Sequence, residues 1–114
     1  MYTYYRNKYG NRKIEYEGKV FDSKREAMRY KELLILLRAG KIHDLQTQVK
    51  FTLIPSQRRN GKVVERECAY YADFVYRDEN GNKVVEDTKG MRTKEYVIKR
   101  KLMLFVHDIE IQEV

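Results

Sequence analysis

The chain has 114 residues, the length of one domain that can bury a modest core without disulfide or zinc support. It carries 24 Lys and Arg against 17 Asp and Glu, a formal net charge of +7, so a polyanion is the expected partner. Its single cysteine, Cys68, excludes an intramolecular disulfide and favours a reducing, cytoplasmic location. The longest aliphatic run, residues 33–37, is too short to span a bilayer, so no membrane partner is expected.

The N-terminal residues are polar, basic and rich in tyrosine. We predict that residues 1–13, which contain four cations and no acid, form an arm that is either mobile or an edge segment. Residues 14–114 are predicted to form a single domain. Its first element is a short hairpin around Glu17-Gly18, formed by residues 13–16 and 19–21.

A helix is predicted from residue 23 to residue 39. Ser23 is a good N-cap, Glu26 completes a Ser-x-x-Glu capping box, and Gly40 ends the segment. The helix face at positions 26, 30, 33 and 37 is apolar apart from Glu26. Glu26 therefore has two interpretations: a capping acid, or a functional acid on the buried face.

The rest of the chain reads mainly as strands. After a turn through residues 43–44, a strand from Gln48 stops at Pro55, and residues 56–61 read as a basic loop. The other predicted elements are strands at 63–76 and 83–89, a helix from Thr93 to about residue 105, and a strand at 109–114. The pattern predicts an α/β fold with a central mixed β-sheet flanked by helices, in the core order α-β-β-β-α-β.

Two of these strands carry an acid where a buried hydrophobic residue would be expected. The acids are Asp73 and Asp87. Because strand side chains alternate, Asp87 and Lys89 share a face beside Val85, whereas Glu86 lies on the opposite face. A carboxylate and an ammonium are thus predicted on one surface.

The turn between these strands decides whether Asp73 joins that surface. A three-residue loop with a bulge at Gly81 pairs residue 78 with residue 82 and sets Asp73 opposite Asp87. A two-residue Asn-Gly loop would instead set Asp73 against Thr88. Two facing aspartates are destabilising unless a cation lies between them, and oxygen-only ligands favour Mg²⁺ or Mn²⁺.

The predicted elements carry five short segments typical of one known superfamily: Phe21-Asp-Ser-Lys-Arg-Glu26, Gln48, Tyr71-Ala-Asp73-Phe, Val84-Val-Glu-Asp87-Thr-Lys89-Gly and Thr93-x-x-Tyr96-x-x-Lys99. With these segments the chain resembles the PD-(D/E)XK nuclease superfamily over about residues 20–114. Within it, the chain resembles small phage-borne proteins similar to Holliday-junction resolvases and transposase nuclease subunits. One departure is Ala72, where the motif has proline. The resemblance implies a restriction-endonuclease-like order for the core.

The resemblance also implies an Mg²⁺-dependent (or Mn²⁺-dependent) endodeoxyribonuclease that hydrolyses phosphodiester bonds in branched or structured DNA. It further implies a homodimer in the cytoplasm of a bacterial host cell. Asp73, Asp87, the Thr88 carbonyl and Glu26 would hold the ion, and Lys89 would orient the attacking water or neutralise charge on the phosphate. The expected role is in phage recombination, replication or packaging. The residues expected to contact nucleic acid are Gln48, Arg92, Thr93, Lys94 and Lys99.

Each of these residues also has a structural interpretation. Asp73 could cap a strand or pair with an arginine, and Asp87 with Lys89 could be a solvated pair on a half-exposed sheet. Thr93 is first a helix cap and Lys99 a solvated cation. The alternative function is therefore a noncatalytic nucleic-acid-binding module on the same fold, and a third is a structural phage protein.

Overall fold

The computed structural model describes residues 3–6, 12–88 and 91–114. The elements, in chain order, are β1 Thr3–Arg6, β2 Arg12–Tyr16, β3 Lys19–Phe21, α1 Lys24–Arg38, β4 His43–Ile54, β5 Gln57–Arg59, β6 Lys62–Glu65, β7 Cys68–Arg77, β8 Lys83–Asp87, α2 Lys94–His107 and β9 Gln112–Glu113.

The N-terminal strands form a small antiparallel sheet in the order β1-β2-β3. Its β2–β3 hairpin is the one predicted around Glu17-Gly18, and residues 3–6 form the edge strand. The domain boundary predicted between residues 13 and 14 falls inside β2.

The central sheet has four strands in the order β4-β7-β8-β9. Its first three strands are antiparallel, and β9 pairs in parallel with β8, so the sheet is mixed. One core packs α1 and the small sheet against it, and a second core packs α2 against it. The prediction of an α/β fold with a central mixed sheet and two helices is confirmed.

Both helices begin and end at residues whose local chemistry explains the boundary. Ser23 Oγ accepts the Glu26 N–H at 3.1 Å, and Thr93 Oγ1 accepts the Tyr96 N–H at 3.1 Å. Gly40, with φ +73°, ends α1, and Lys41 N–H reaches the Leu36 carbonyl at 2.9 Å. Among the described residues, no helix is long and apolar enough to span a bilayer.

Several predicted strand boundaries were wrong. The strand predicted from Gln48 begins at His43, and the strand predicted over 63–76 is divided into β6 and β7. The predicted loop at 56–61 contains β5, which pairs with β6 as a separate two-stranded ribbon. The ribbon residues are exposed on both sides, so they lack the alternation of apolar residues that marks a half-buried strand.

The ends of the central sheet are also shorter than predicted. β8 ends at Asp87, two residues before the predicted end, and β9 contains only Gln112–Glu113 rather than residues 109–114. Ile109 instead follows the left-handed cap of α2 at Asp108, where its N–H reaches the Met103 carbonyl at 3.2 Å. The backbone there belongs to the helix terminus and cannot pair with the sheet.

Candidate functional site

The β7–β8 hairpin has the three-residue loop that sets Asp73 opposite Asp87. Asp78 N–H donates to the Asn82 carbonyl at 2.9 Å, and Gly81 has a φ of +80°. The register then runs from Arg77 opposite Lys83 to Phe74 opposite Glu86, so the next step places Asp73 beside Asp87. This predicted register is confirmed, and the two-residue alternative is excluded.

At Asp73, the regular alternation of β7 side chains between the two faces of the sheet is interrupted. Tyr70 and Ala72 pack in the α2 core, whereas Phe74 packs in the α1 core. Gln48, opposite Asp73 on β4, has a φ of +52°, which is rare for a residue other than glycine. This break in the alternation leaves the Asp73 carboxylate between the two sides of the sheet.

Five hydrogen-bonding groups converge on the Asp73 carboxylate. Its Oδ1 accepts from Gln48 Nε2 at 3.2 Å. Its Oδ2 accepts from the Thr88 N–H at 2.9 Å and from the Thr88 hydroxyl at 2.8 Å. Gln48 thus lies against Asp73, and Thr88 contacts Asp73 through its amide and hydroxyl. The Thr88 carbonyl stays a predicted ligand of the metal ion. The other two contacts come from Glu26 and Asp87.

Glu26 lies on the buried face of α1, and its side chain forms a hydrogen bond with Asp73. Only its backbone N–H takes part in the cap at Ser23. The carboxyl groups of Asp73 and Asp87 also hydrogen-bond. Glu26, Asp73 and Asp87 therefore form one acidic cluster, which draws on α1, β7 and β8.

Burial and the neighbouring acids determine the protonation of this cluster. Desolvation, and then the charge of Asp73, raise the pKa of Glu26 to about 8. Burial alone would raise the pKa of Asp73 as well, but hydrogen bonds from Asp87, Thr88 and Glu26 outweigh it and hold that pKa below its usual value. At neutral pH, Glu26 is thus the proton donor and Asp73 the charged acceptor.

The cluster supplies only oxygen donors, which suits Mg²⁺ or Mn²⁺ better than softer metals. Within residues 3–6, 12–88 and 91–114, no three His, Cys, Asp and Glu side chains are arranged as a ready metal-binding group. The carboxyl groups instead pair with one another. Lys89, predicted as the catalytic lysine, lies outside the described residues.

A second buried acid, Glu86, was not assigned a role from the sequence. Arg29 Nε and one of its terminal nitrogens donate to the two Glu86 oxygens at 2.8 and 2.7 Å. Tyr76 donates its hydroxyl to the same carboxylate, and Arg29 also pairs with Glu32 at 2.8 Å. The only sequence signal was the placement of Glu86 on the face opposite Asp87. This network fixes α1 to the sheet one turn after Glu26.

The residues predicted to contact nucleic acid from α2 are mostly engaged within the protein. Arg92 donates two hydrogen bonds to Glu113, at 2.9 and 2.6 Å, and Thr93 caps the helix. Lys99 forms an ion pair with Glu95 at 3.2 Å. Lys94 is exposed at the start of the helix. Arg92 thus has an internal partner, Thr93 has the capping role that the sequence indicated, and DNA contact by these residues stays a prediction.

A shallow cleft at the start of α2 adjoins the acidic cluster. It is lined by Tyr70, Tyr71, Thr93, Glu95, Tyr96 and Lys99. Burial and the charge of Asp87 raise the pKa of Tyr70, so its hydroxyl remains protonated there. The sequence analysis assigned no binding role to Tyr70, Tyr71 or Tyr96, because a tyrosine in a strand or helix has no sequence feature that separates binding from packing.

The chain belongs to a protein family described as "Protein of unknown function (DUF1064)", whose pattern matches residues 6–112. This span includes both helices, the strands β4, β7 and β8 of the central sheet, and the first residue of β9. No curated protein and no solved structure gave a significant match.

Proposed function

We propose that this protein is a metal-dependent endodeoxyribonuclease that hydrolyses phosphodiester bonds in branched or structured DNA. The observation that carries the proposal is the meeting of three acids from separate elements: Asp73 is hydrogen-bonded to both Glu26 and Asp87. Grouping buried like charges costs stability, and such clusters are typical of functional sites. The element order and the motif residues resemble the PD-(D/E)XK superfamily, which supports the same reaction.

In this proposal Asp73, Asp87 and Glu26 hold Mg²⁺ or Mn²⁺. Such an ion would supply Lewis-acid chemistry, which would polarise a phosphate oxygen and lower the pKa of a water. Gln48 and Thr88 fix the Asp73 carboxylate through hydrogen bonds to both of its oxygens. Arg29 and Glu86 hold α1 in place, which keeps Glu26 against Asp73.

The other residues of the site have roles that follow from their positions. Lys99 and Thr93 line the cleft at the start of α2, where a phosphate backbone would find a cation and a helix N-terminus. Lys89, two residues after Asp87, is proposed to orient the water or neutralise the phosphate. The resemblance also supports a homodimer acting in bacterial cytoplasm on phage DNA.

The test compares cleavage by the wild type, Asp87→Asn and a matched control, Glu110→Gln, which removes an exposed acid outside the site. The substrates are a supercoiled plasmid and a synthetic four-way junction, in Mg²⁺, Mn²⁺ or chelator. The wild type and the control should cut only with metal. Asp87→Asn should cut at least about a hundredfold more slowly, since metal catalysis supplies several kcal/mol of transition-state stabilisation.

Two results would contradict the proposal that this protein is a nuclease. Wild-type protein that binds the junction but cuts in no metal would favour the noncatalytic nucleic-acid-binding module. Wild-type protein that neither binds nor cuts would favour a structural role. A circular dichroism spectrum equal to that of the wild type excludes misfolding of Asp87→Asn as the cause of lost cleavage.

A further inference from the structure

The ribbon formed by β5 and β6 projects from the central sheet without a buried face. We define the basic ribbon as residues 56–66, between the end of β4 and the start of β7. All residues from 54 to 67 are exposed. Among the described residues, neither hydrophobic core includes any part of the basic ribbon. Packing in the domain therefore does not account for it.

The tip of the basic ribbon is nevertheless well specified. Asn60 and Gly61 have φ values of +52° and +75°, and the flanking residues Arg59 and Lys62 pair directly. These values match a two-residue type I′ turn, for which Asn-Gly is the preferred sequence. The ribbon is thus a preformed two-stranded element.

The charge on the basic ribbon is predominantly positive. It contains four cations, Arg58, Arg59, Lys62 and Arg66, and one acid, Glu65. Arg59 and Lys62 lie directly opposite each other, and like charges in that position are destabilising. No ion pair within the described part of the chain includes Arg59, Lys62 or Arg66. A bound polyanion would relieve this repulsion.

We propose that the basic ribbon binds duplex DNA by lying in the major groove, with Arg59 and Lys62 on backbone phosphates. The major groove, about 12 Å wide, accommodates a two-stranded β-ribbon. This inference rests on the proposed DNA substrate and extends it by assigning a second contact region, remote from the acidic cluster. Because neighbouring strand residues point to opposite faces, one of the two exposed valines, Val63 and Val64, would face the groove.

The position of the ribbon predicts how much duplex the protein contacts. Lys62 is eleven residues before Asp73, and at about 3.3 Å per strand residue the extended chain between them spans up to about 36 Å. One turn of B-form DNA, about 10 base pairs, has a similar length of roughly 34 to 36 Å. The basic ribbon should therefore contact DNA no more than about one turn from the phosphate that is cut.

The test measures junction binding in chelator, so that no cutting interferes, with arms of about 8 or about 20 base pairs. Arg59→Gln combined with Lys62→Gln should weaken binding to the long-armed junction about tenfold, and lower the slope of log Kd against log salt by about 2. Binding to the short-armed junction should change less than about twofold. Lys31→Gln with Lys41→Gln, which removes two exposed charges at α1 and just after it, is the control.

An unchanged affinity for the long-armed junction would overturn the proposal, as would an equal loss for both arm lengths. The two proposals fail separately. If ribbon variants lose DNA affinity but the wild type cuts nothing in any metal, the nuclease fails and the ribbon contact stands. If cutting depends on Asp87 while the ribbon variants bind DNA normally, the nuclease proposal stands and the ribbon contact fails. An unchanged melting temperature in the ribbon variants shows that the domain is intact.

Discussion

Two neighbouring acids on β8 are buried to the same extent but have opposite surroundings. Glu86 is 1% exposed and Asp87 is 3% exposed. Glu86 faces α1, where Arg29 binds both of its oxygens and Tyr76 donates a further hydrogen bond. Asp87 faces Asp73, whose carboxyl group is also bonded to Glu26.

The difference shows that burial of an acid does not by itself indicate a functional site. The Glu86 carboxylate is matched by a guanidinium and a hydroxyl, so its burial is compatible with a structural role. The acidic cluster joins three groups of the same kind, an arrangement that raises the pKa of Glu26 instead of stabilising its charge. What an acid meets inside the protein distinguishes the two roles.

The largest expected change in stability comes from removing the cation that pairs with Glu86. Arg29→Ala should lower the free energy of unfolding by about 3 kcal/mol or more, because it leaves a buried carboxylate without its cation. Urea denaturation at pH 7 measures this value. Combining Arg29→Ala with Glu86→Gln should restore part of the stability, since the remaining side chain is neutral. Equal stability of the wild type and Arg29→Ala would show that the pair has no structural role.

A second prediction concerns the acidic cluster and pH. The pKa of Glu26 is about 8 in the folded protein and near 4.5 when unfolded, so between these values unfolding releases a proton. This group's contribution to stability is complete below pH 4.5 and is lost as pH rises toward 8 and beyond. Glu26→Gln lacks the titration and should therefore gain stability relative to the wild type between pH 5 and pH 8.5.

Denaturation in metal-free buffer across that range measures the relative gain of Glu26→Gln. Glu110→Gln, an exposed acid outside the cluster, serves as the control and should keep a constant difference from the wild type over the same interval. A parallel pH dependence for Glu26→Gln and the wild type would mean that Glu26 is ionised in the folded protein, contrary to its burial against Asp73.

The smallest effect comes from an acid that is paired but exposed. Asp22 accepts from Lys13 at 3.0 Å, with 81% of the Asp22 side chain accessible. Asp22→Asn should change the free energy of unfolding by less than about 1 kcal/mol, because solvent screens the pair. Urea denaturation in low and high salt measures it. A loss comparable to that of Arg29→Ala would show that pairing, rather than burial, controls the stability gained from such contacts.

The sequence alone determined the helices and the central hairpin register, because their signals are local. Ser23, Thr93 and Gly40 fix helix ends through hydrogen bonds and backbone freedom within a few residues. The Asp78 to Gly81 turn sets the register of β7 and β8, and with it the meeting of Asp73 and Asp87. Alternation along β8 also placed Glu86 on the opposite face.

Only the tertiary structure decided what those acids meet. Arg29 reaches Glu86 from a helix 57 positions earlier in the chain, and no local pattern reports that contact. The break in alternation at Gln48 and Asp73 depends on packing against two different helices, and it brings Glu26 to Asp73. In the basic ribbon, β5 was predicted to be a loop and β6 was predicted to be part of one long strand. Periodic burial is the sequence signal of a strand, and an element without a buried face does not carry it.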